Sequence, residues 1–371
     1  MRILYLSQSR IPSSSANSIH VVKMCSALQE RGADITLLGY RGTNSRSIED
    51  YYDISSQLKI IRFPIKESTG ESIKLAVYSR LWKTFKSGHN KFDLIYSRSA
   101  ICLYANLNDK TPFIYEVHST PRTSFHYFLE KRIIENTYLK KIVFISEQLR
   151  SWYLNKYTHL EPGNTLVLPD ASDHFKNKKN DFNLTGNSHY KVGYVGHLYP
   201  GKGGELIVDL STKLPFVDFH IVGGREQDIL RLRDRSHSDN LYFHGYVPYA
   251  DTKKYLDTFD IVLAPYSEKV YLAKTDAEIG NWMSPLKLFE YMSARKPIIS
   301  SDLSVLREVL ENEKNALLAK PESVEDWASC IRRLIDNPEL KTSIANQAFQ
   351  DFESNFSWTK RAQKVIDAIN T

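Results

Sequence analysis

The chain alternates short apolar runs with stretches of helical periodicity, and it does so twice. In the first half "RILYLS", "DITLLGY", "FDLIYSR", "PFIYEVH" and "KIVFIS" are short runs, mostly rich in β-branched and aromatic residues, the pattern of buried strands. Between the first two lies "SIHVVKMCSALQERG", a predicted helix with Gly32 as its stop signal. The polar segment 175–190, "FKNKKNDFNLTGNSHY", breaks the pattern and reads as a linker or surface loop. The alternation then restarts: "KVGYVGHL", a helix over "GELIVDLSTKL", "VDFHIVGG", "NLYFHGYV", "FDIVLAPY", a helix opening at "SPLK", and "KPIISSD". Strands alternating with helices predict parallel sheets, because parallel neighbours need crossover connections. The expectation is an α/β protein of two doubly wound, Rossmann-like domains, 1–175 and 176–356, facing across a cleft. Ligands on such sheets bind outside the carboxyl ends of the strands.

Composition adjusts this picture in three places. The chain has 371 residues, which suits two domains, and no apolar run approaches the ~18 residues of a membrane span. "MRILYLSQSR" reads as a first strand rather than a signal peptide, and the three separated cysteines argue for a reducing compartment and against a structural zinc site. A cytoplasmic protein, peripheral on the inner face of the membrane, is expected. Charge is uneven: residues 1–180 hold 26 Lys+Arg against 16 Asp+Glu, and the remainder 23 against 27. A basic first half favours an anionic partner. Within it, residues 71–91 place Ile73, Val77, Leu81 and Phe85 at helical spacing, with Tyr78 and Trp82 beside them and Lys74, Arg80, Lys83, Lys86 and Lys91 on other faces. Such a helix reads as binding an anionic membrane surface, the plainer alternative being a packed helix with a basic outer face.

The candidate chemistry sits where strands hand over to helices. In "YPGKGG", Gly201, Gly203 and Gly204 surround Lys202, a flexible cation beside a helix start, suited to a phosphate although no Walker pattern is present. His197 precedes it at the strand end. Ser284 and Pro285 read as the cap and first position of the next helix, so Lys287 falls in its first turn, where acids are preferred, with Glu290 on the same face. An exposed Lys–Glu pair is the plain alternative, in its poorer orientation. A dianion on the helix amides, and hydroxyls on the acceptor-only carboxylate of Glu290, account for both residues. In the first half Asn17 and Ser18 lie before a helix, Arg98 ends "LIYSR", and Glu116, His118 and Arg122 follow one another along "YEVHSTPRT". There is no D-x-D, H-E-x-x-H, G-x-S-x-G, CxxC or dinucleotide fingerprint.

Taken together, "EVH", "VFISEQLR", "LPDASD", "VGYVGHLYPGKGG", "VDFHIVGG", "LYFHGYV" and "SPLKLFEYMSARKPIISSDLSVLREVL" resemble family 4 of the retaining nucleotide-sugar glycosyltransferases, over nearly the whole chain. The resemblance implies the GT-B fold, with helix 357–371 returning to the first domain, and transfer of a sugar, with retention and without a metal or cofactor, from a nucleoside diphosphate, commonly uridine diphosphate. The acceptor would be a hydroxyl of a glycan or lipid-linked molecule in envelope polysaccharide assembly, with no nucleic acid involved. Lys202 corresponds to the family's diphosphate-binding lysine and His118 to a histidine near the reacting carbon, both as catalytic groups. Asn17, Ser18, His197, Tyr246, Ser284, Leu286, Lys287 and Glu290 would complete the donor site, Glu290 on the ribose. Arg98, Glu116 and Arg122 are acceptor-side candidates. Three positions depart from the family: His197 stands for an arginine, Ala16 to Ser18 for a glycine pair, and Trp282 for the first glutamate of E-x7-E. An epimerase and a non-catalytic binder of sugar nucleotides or carbohydrate are the competing readings.

Overall fold

The structure, a computed structural model, describes residues 1–85, 92–107, 110–175, 182–272 and 275–370. The chain divides into two compact units, Met1–Pro169 with Trp358–Thr371, and Asp170–Ser357.

The first unit runs β1 (Arg2–Ile11), α1 (Ala16–Glu30), β2 (Asp34–Arg41), α2 (Ile48–Tyr52), β3 (Lys59–Phe63), α3 (Glu71–Phe85), β4 (Leu94–Ser97), α4 (Ala100–Ala105), β5 (Phe113–Val117), α5 (Ser124–Ile134), β6 (Leu139–Phe144), α6 (Glu147–Lys156) and β7 (Thr165–Val167). Its seven strands form one sheet in the order β3-β2-β1-β4-β5-β6-β7, every pairing parallel. The central strands are buried along their length: β4 and β5 carry no exposed residue, as expected when helices cover both faces. The second unit runs β8 (Tyr190–Val195), α7 (Gly204–Lys213), β9 (Val217–Val222), α8 (Glu226–Arg235), β10 (Leu241–Gly245), α9 (Thr252–Thr258), β11 (Ile261–Ala264), the hairpin β12 (Tyr271–Leu272) and β13 (Thr275–Glu278), α10 (Leu286–Ser293), β14 (Ile298–Ser301), β15 (Leu317–Ala319), α11 (Val324–Asp336) and α12 (Pro338–Asp351). Six strands make its parallel sheet, in the order β10-β9-β8-β11-β14-β15. The last helix, α13 (Trp358–Asn370), belongs to the first unit, where it packs on α1 and β6. Both sheets are doubly wound α/β, matching the fold class read from the sequence.

In each sheet the strand order reverses at one point, between β1 and β4 in the first and between β8 and β11 in the second. Crevices open outside the carboxyl ends of strands at such points, because successive crossovers leave on opposite faces. The second sheet has an apolar layer on either side. Leu206, Leu210, Leu232, Trp327 and Ile331 pack on one, and Leu256, Leu288, Phe289, Tyr291 and Met292 on the other.

Three local expectations need correction. Asn17 and Ser18 do not precede α1. Ser15 caps it, its hydroxyl accepting the Ser18 N–H at 3.2 Å, so both lie in the first turn. Ser284 does not cap α10. The helix begins at Leu286 with Pro285 in the capping position, and the Ser284 hydroxyl instead accepts the Asp170 N–H at 2.8 Å. Helix 71–91 is described as far as Phe85, so Lys86 and Lys91 lie outside the described residues. Within α3 the row Ile73, Val77, Leu81 and Phe85 faces outward, 45–74% exposed, while Leu75, Ala76 and Ser79 form the buried face.

Candidate active site

In the second unit the loop after β8 and the loop after β11 flank the point where the strand order reverses. Lys202 lies in the first, and Tyr266 in the second. Lys202 Nζ sits 4.9 Å above the centre of the Tyr266 ring, and Lys287 Nζ, from the first turn of α10, lies 5.2 Å from the same ring. Lys287 lies closer still to Tyr194 at the end of β8, its Nζ 3.7 Å from that ring's centre. Two lysine side chains thus converge on one aromatic ring. Lys287 Nζ is shut off from solvent and has no hydrogen-bond partner among the described residues. Burial and the neighbouring Lys202 hold its pKa well below that of an ordinary lysine, against the pull of Glu290. Burial lowers Lys202 to about 8. The aromatic faces contribute about 1 kcal/mol each and do not replace a counter-ion.

Backbone geometry brings the cations this close. Gly196, just past β8, has φ +151°, and a Cβ there would come 2.8 Å from Lys287 Nζ. Gly203, the cap of α7, has φ +82°, and a Cβ would come 1.9 Å from the Pro265 carbonyl oxygen. One turn below Lys287, Glu290 accepts a hydrogen bond from the Tyr249 hydroxyl. Burial raises its pKa to about 7, partly offset by Lys287. The exposed ion pair considered for Lys287 and Glu290 is not formed: the lysine has turned onto the aromatic rings. His197 stacks on Tyr199 at 4.8 Å, and its carbonyl accepts the Tyr194 hydroxyl at 2.5 Å. Leu286 is buried at the start of α10, whereas Tyr246, past β10, is 52% exposed. Trp282 lies in the turn before α10, and Glu278 closes β13 with its side chain exposed.

In the first unit Asn17 and Arg98 lie at the corresponding reversal, after β1 and β4. Asn17 Oδ1 and one terminal nitrogen of Arg98 are enclosed without a hydrogen-bond partner among the described residues. Such atoms are rare in folded proteins and call for an explanation. Arg98 is close enough to His118 to help lower its pKa, which burial first drives down to about 3. His118 is therefore a neutral imidazole, 22% exposed, with Nε2 2.6 Å from Glu116 Oε1. Ser18 is fully engaged inside the unit: its hydroxyl donates to the Arg10 carbonyl at 3.0 Å and meets the Tyr52 hydroxyl. Glu116 does not face an acceptor. Its side chain is 0% exposed and committed to His20, His118, Arg361 and Tyr96. Arg122 stands exposed before α5.

Residues 18–171 match the family model described as Glycosyltransferase Family 4, and residues 189–337 the model described as Glycosyl transferases group 1. A sucrose-phosphate synthase from Thermosynechococcus elongatus superposes over 100% of this chain and 98% of its own, with a TM-score of 0.77 at 17% identity. The chain belongs to the glycosyltransferases that these two models together describe and has the GT-B fold. The HepE protein of Anabaena, solved with UDP-glucose, superposes over 100% of this glycosyltransferase and 99% of its own chain, with a TM-score of 0.72 at 16% identity. An uncharacterized glycosyltransferase of Methanocaldococcus jannaschii is 28% identical over 47% of the chain and 43% of its own length. The glycosyltransferase thus spans under half the length of that curated relative.

Sequence reasoning missed the aromatic platform of Tyr194 and Tyr266, the Tyr249 hydroxyl on Glu290, and the pair His20 and Arg361. The tyrosines carry no local signal, being ordinary residues of apolar strand ends. His20 and Arg361 did carry one. His20 lies in the stretch of α1 that is buried from Ser18 to Leu28, and Arg361 in the buried stripe of Trp358, Ala362 and Val365, where a charge without a partner would be costly.

Proposed function

We propose that this glycosyltransferase moves a sugar from a nucleoside diphosphate, in the first instance uridine diphosphate, to a hydroxyl of a glycan or lipid-linked acceptor, with retention at the anomeric carbon and without a metal. The observation that carries the reading is the pair Lys202 and Lys287: two lysine side chains against one tyrosine, one of them sealed from solvent with no hydrogen-bond partner among the described residues. An enclosed unpaired cation is costly, and a diphosphate supplies the missing charge. Lys202, Lys287 and the free amides of α10 would stabilise the negative charge that develops on the leaving diphosphate. The bond from the anomeric carbon to the diphosphate oxygen breaks, the acceptor oxygen bonds to that carbon on the same face, and the departing diphosphate takes the acceptor's proton. Glu290, acceptor-only when ionised, would hold the ribose hydroxyls. His118, neutral and partly exposed, would contact the sugar near the reacting carbon.

The acceptor reading draws on the first unit. The outward row of α3 continues into exposed Tyr104, Phe125 and Phe128 on α4 and α5, beside a surface groove of about 720 Å³ lined by Val77, Arg80, Leu81, Tyr104 and Arg132 among others. Apolar side chains interleaved with cations suit an anionic membrane surface, and so envelope polysaccharide assembly. No helix among the described residues is long and apolar enough to cross a membrane.

The test is calorimetry with UDP, followed by a panel of nucleotide sugars scored by donor hydrolysis. Lys202→Ala and Glu290→Ala should each weaken UDP binding, and unchanged affinity in both would overturn the site. The tryptophan at position 282, where the family has a glutamate, favours one competing reading. UDP binding without release of sugar from any donor would make the chain a non-catalytic binder.

A further inference from the structure

We propose that Glu116 and Arg361 are positioning residues for His118: Glu116 holds the imidazole in its Nε2–H tautomer, and Arg361, delivered by the last helix, keeps that carboxylate ionised. The inference rests on the reading of His118 as a sugar-contacting group.

Glu116 and His118 are two residues apart at the end of β5, so their side chains leave the same face. The Glu116 carboxylate is enclosed and shared by four residues. Oε1 lies 2.6 Å from His118 Nε2, 2.8 Å from His20 Nε2 and 3.2 Å from an Arg361 nitrogen. Oε2 accepts the Tyr96 hydroxyl and lies 3.3 Å from Arg361 Nη1. An ionised carboxylate only accepts, so the ring nitrogen facing it must carry the hydrogen. With His118 neutral, its other nitrogen, Nδ1, is then an acceptor for a sugar hydroxyl. The opposite tautomer would set a lone pair against the carboxylate and offer the substrate a donor instead.

Arg361 makes the arrangement affordable. A carboxylate with no exposed surface would ordinarily take up a proton; burial pushes the Glu116 pKa up, yet Arg361 and then His20 pull it well below the carboxylate range. Arg361 is itself 2% exposed and is held by the carbonyls of Pro169 at 3.0 Å and Leu168 at 3.2 Å. Trp358, one turn earlier on α13, packs edge-on against His20 at 5.1 Å, and His20 packs edge-on against His118 at the same spacing. One helix from the far end of the chain thereby supplies both the charge and a wall of the cluster. His20, Glu116 and His118 offer three ligand atoms within 4.8 Å of one another, a spacing open to a metal ion. The guanidinium already stands against both carboxylate oxygens, and that cation serves instead.

The experiment uses the full chain in four forms, wild type, Glu116→Gln, Arg361→Met and Arg361→Lys. Histidine ring tautomers are read by nitrogen-15 NMR, and kcat and KM by hydrolysis of UDP-glucose. His118 should be Nε2–H in the wild type and should gain Nδ1–H in Glu116→Gln and Arg361→Met. Hydrolysis should lose about tenfold or more in kcat with KM within twofold, as misorientation of a catalytic group does. Arg361→Lys, which retains the charge, should restore the tautomer and most of kcat. A wild-type His118 in the Nδ1–H form overturns the proposal even if no variant folds. So does a folded Glu116→Gln that keeps both the tautomer and wild-type kcat. His118→Ala separates the two readings: wild-type turnover there, with the tautomers behaving as stated, refutes the sugar contact and leaves the positioning intact.

Discussion

Replacing Lys202 with methionine should stabilise the unliganded glycosyltransferase while removing its response to nucleotide. Burial lowers the Lys202 pKa from 10.5 to about 8, so holding the ammonium in place costs the folded state roughly 3 kcal/mol at neutral pH, at about 1.4 kcal/mol per tenfold. The contact with Tyr266 is worth about 0.5–1 kcal/mol and is lost in the variant, which leaves a net gain of about 2 kcal/mol. For a unit of this size that raises Tm by roughly 4–8 °C. Because the folded pKa lies below the unfolded one, the folded state binds fewer protons between about pH 8 and 10.5. The wild type therefore gains stability as pH rises through that window. The variant's advantage is full below about pH 8 and gone above about 10.5. Thermal denaturation from pH 6 to 10.5, with and without saturating UDP, is the assay. UDP should raise Tm strongly in the wild type, through mass action, and little in the variant. A variant that is less stable than the wild type below pH 8, or that keeps the full UDP shift, refutes the argument that a ligand anion relieves a buried cation.

Glu290 has a folded pKa of about 7, so if the ribose needs its ionised form, UDP should bind about tenfold more weakly at pH 6 than at pH 8. Calorimetry on Glu290→Gln should show weaker binding with that pH dependence flattened. Gly196→Ala, at φ +151° with its new Cβ 2.8 Å from Lys287 Nζ, should lower Tm and weaken UDP binding at least several-fold, by thermal shift and calorimetry. Leu81→Asp on the outward row of α3 should leave Tm within about 2 °C, since that residue is 45% exposed and outside the buried face of the helix, and should reduce sedimentation with anionic vesicles. Equal sedimentation of the wild type with neutral and anionic vesicles would remove the membrane reading.

Most of the strands that were legible are buried on both faces, the exception being the edge strand β10, whose own apolar residues in "NLYFHGYV" marked it. β1, β2, β5, β9 and β11 are buried along most of their length because helices cover them on either side, and their mainly apolar runs stand out in a sequence. The strands that were missed lie at sheet edges: β3 and β7 have no fully buried residue, and β15 has only three residues. An edge strand forms because a neighbour offers a ladder to complete, and that neighbour is far away in sequence.

The site divides in the same way. Lys287 was conspicuous because it breaks a rule of helix starts, and violations of local rules collect where function overrides stability. What the local window could not hold was the partner. The rings that receive Lys287 come from β8 and from the loop after β11, some twenty to ninety residues away, so only the assembled sheet explains how the ammonium avoids the amides of its own helix. Arg361 makes the complementary case. Its position in the apolar stripe of α13 violated the helix pattern as plainly as Lys287 violated the capping pattern, and its partner, Glu116, violated the strand pattern by placing a carboxylate in a buried run. Two buried charges of opposite sign, each inexplicable alone, are a contact prediction when read together. That pairing ties α13 to β5 by the same reasoning that tied Lys287 to an absent anion: an enclosed charge implies a counter-charge, whether the chain or a ligand supplies it.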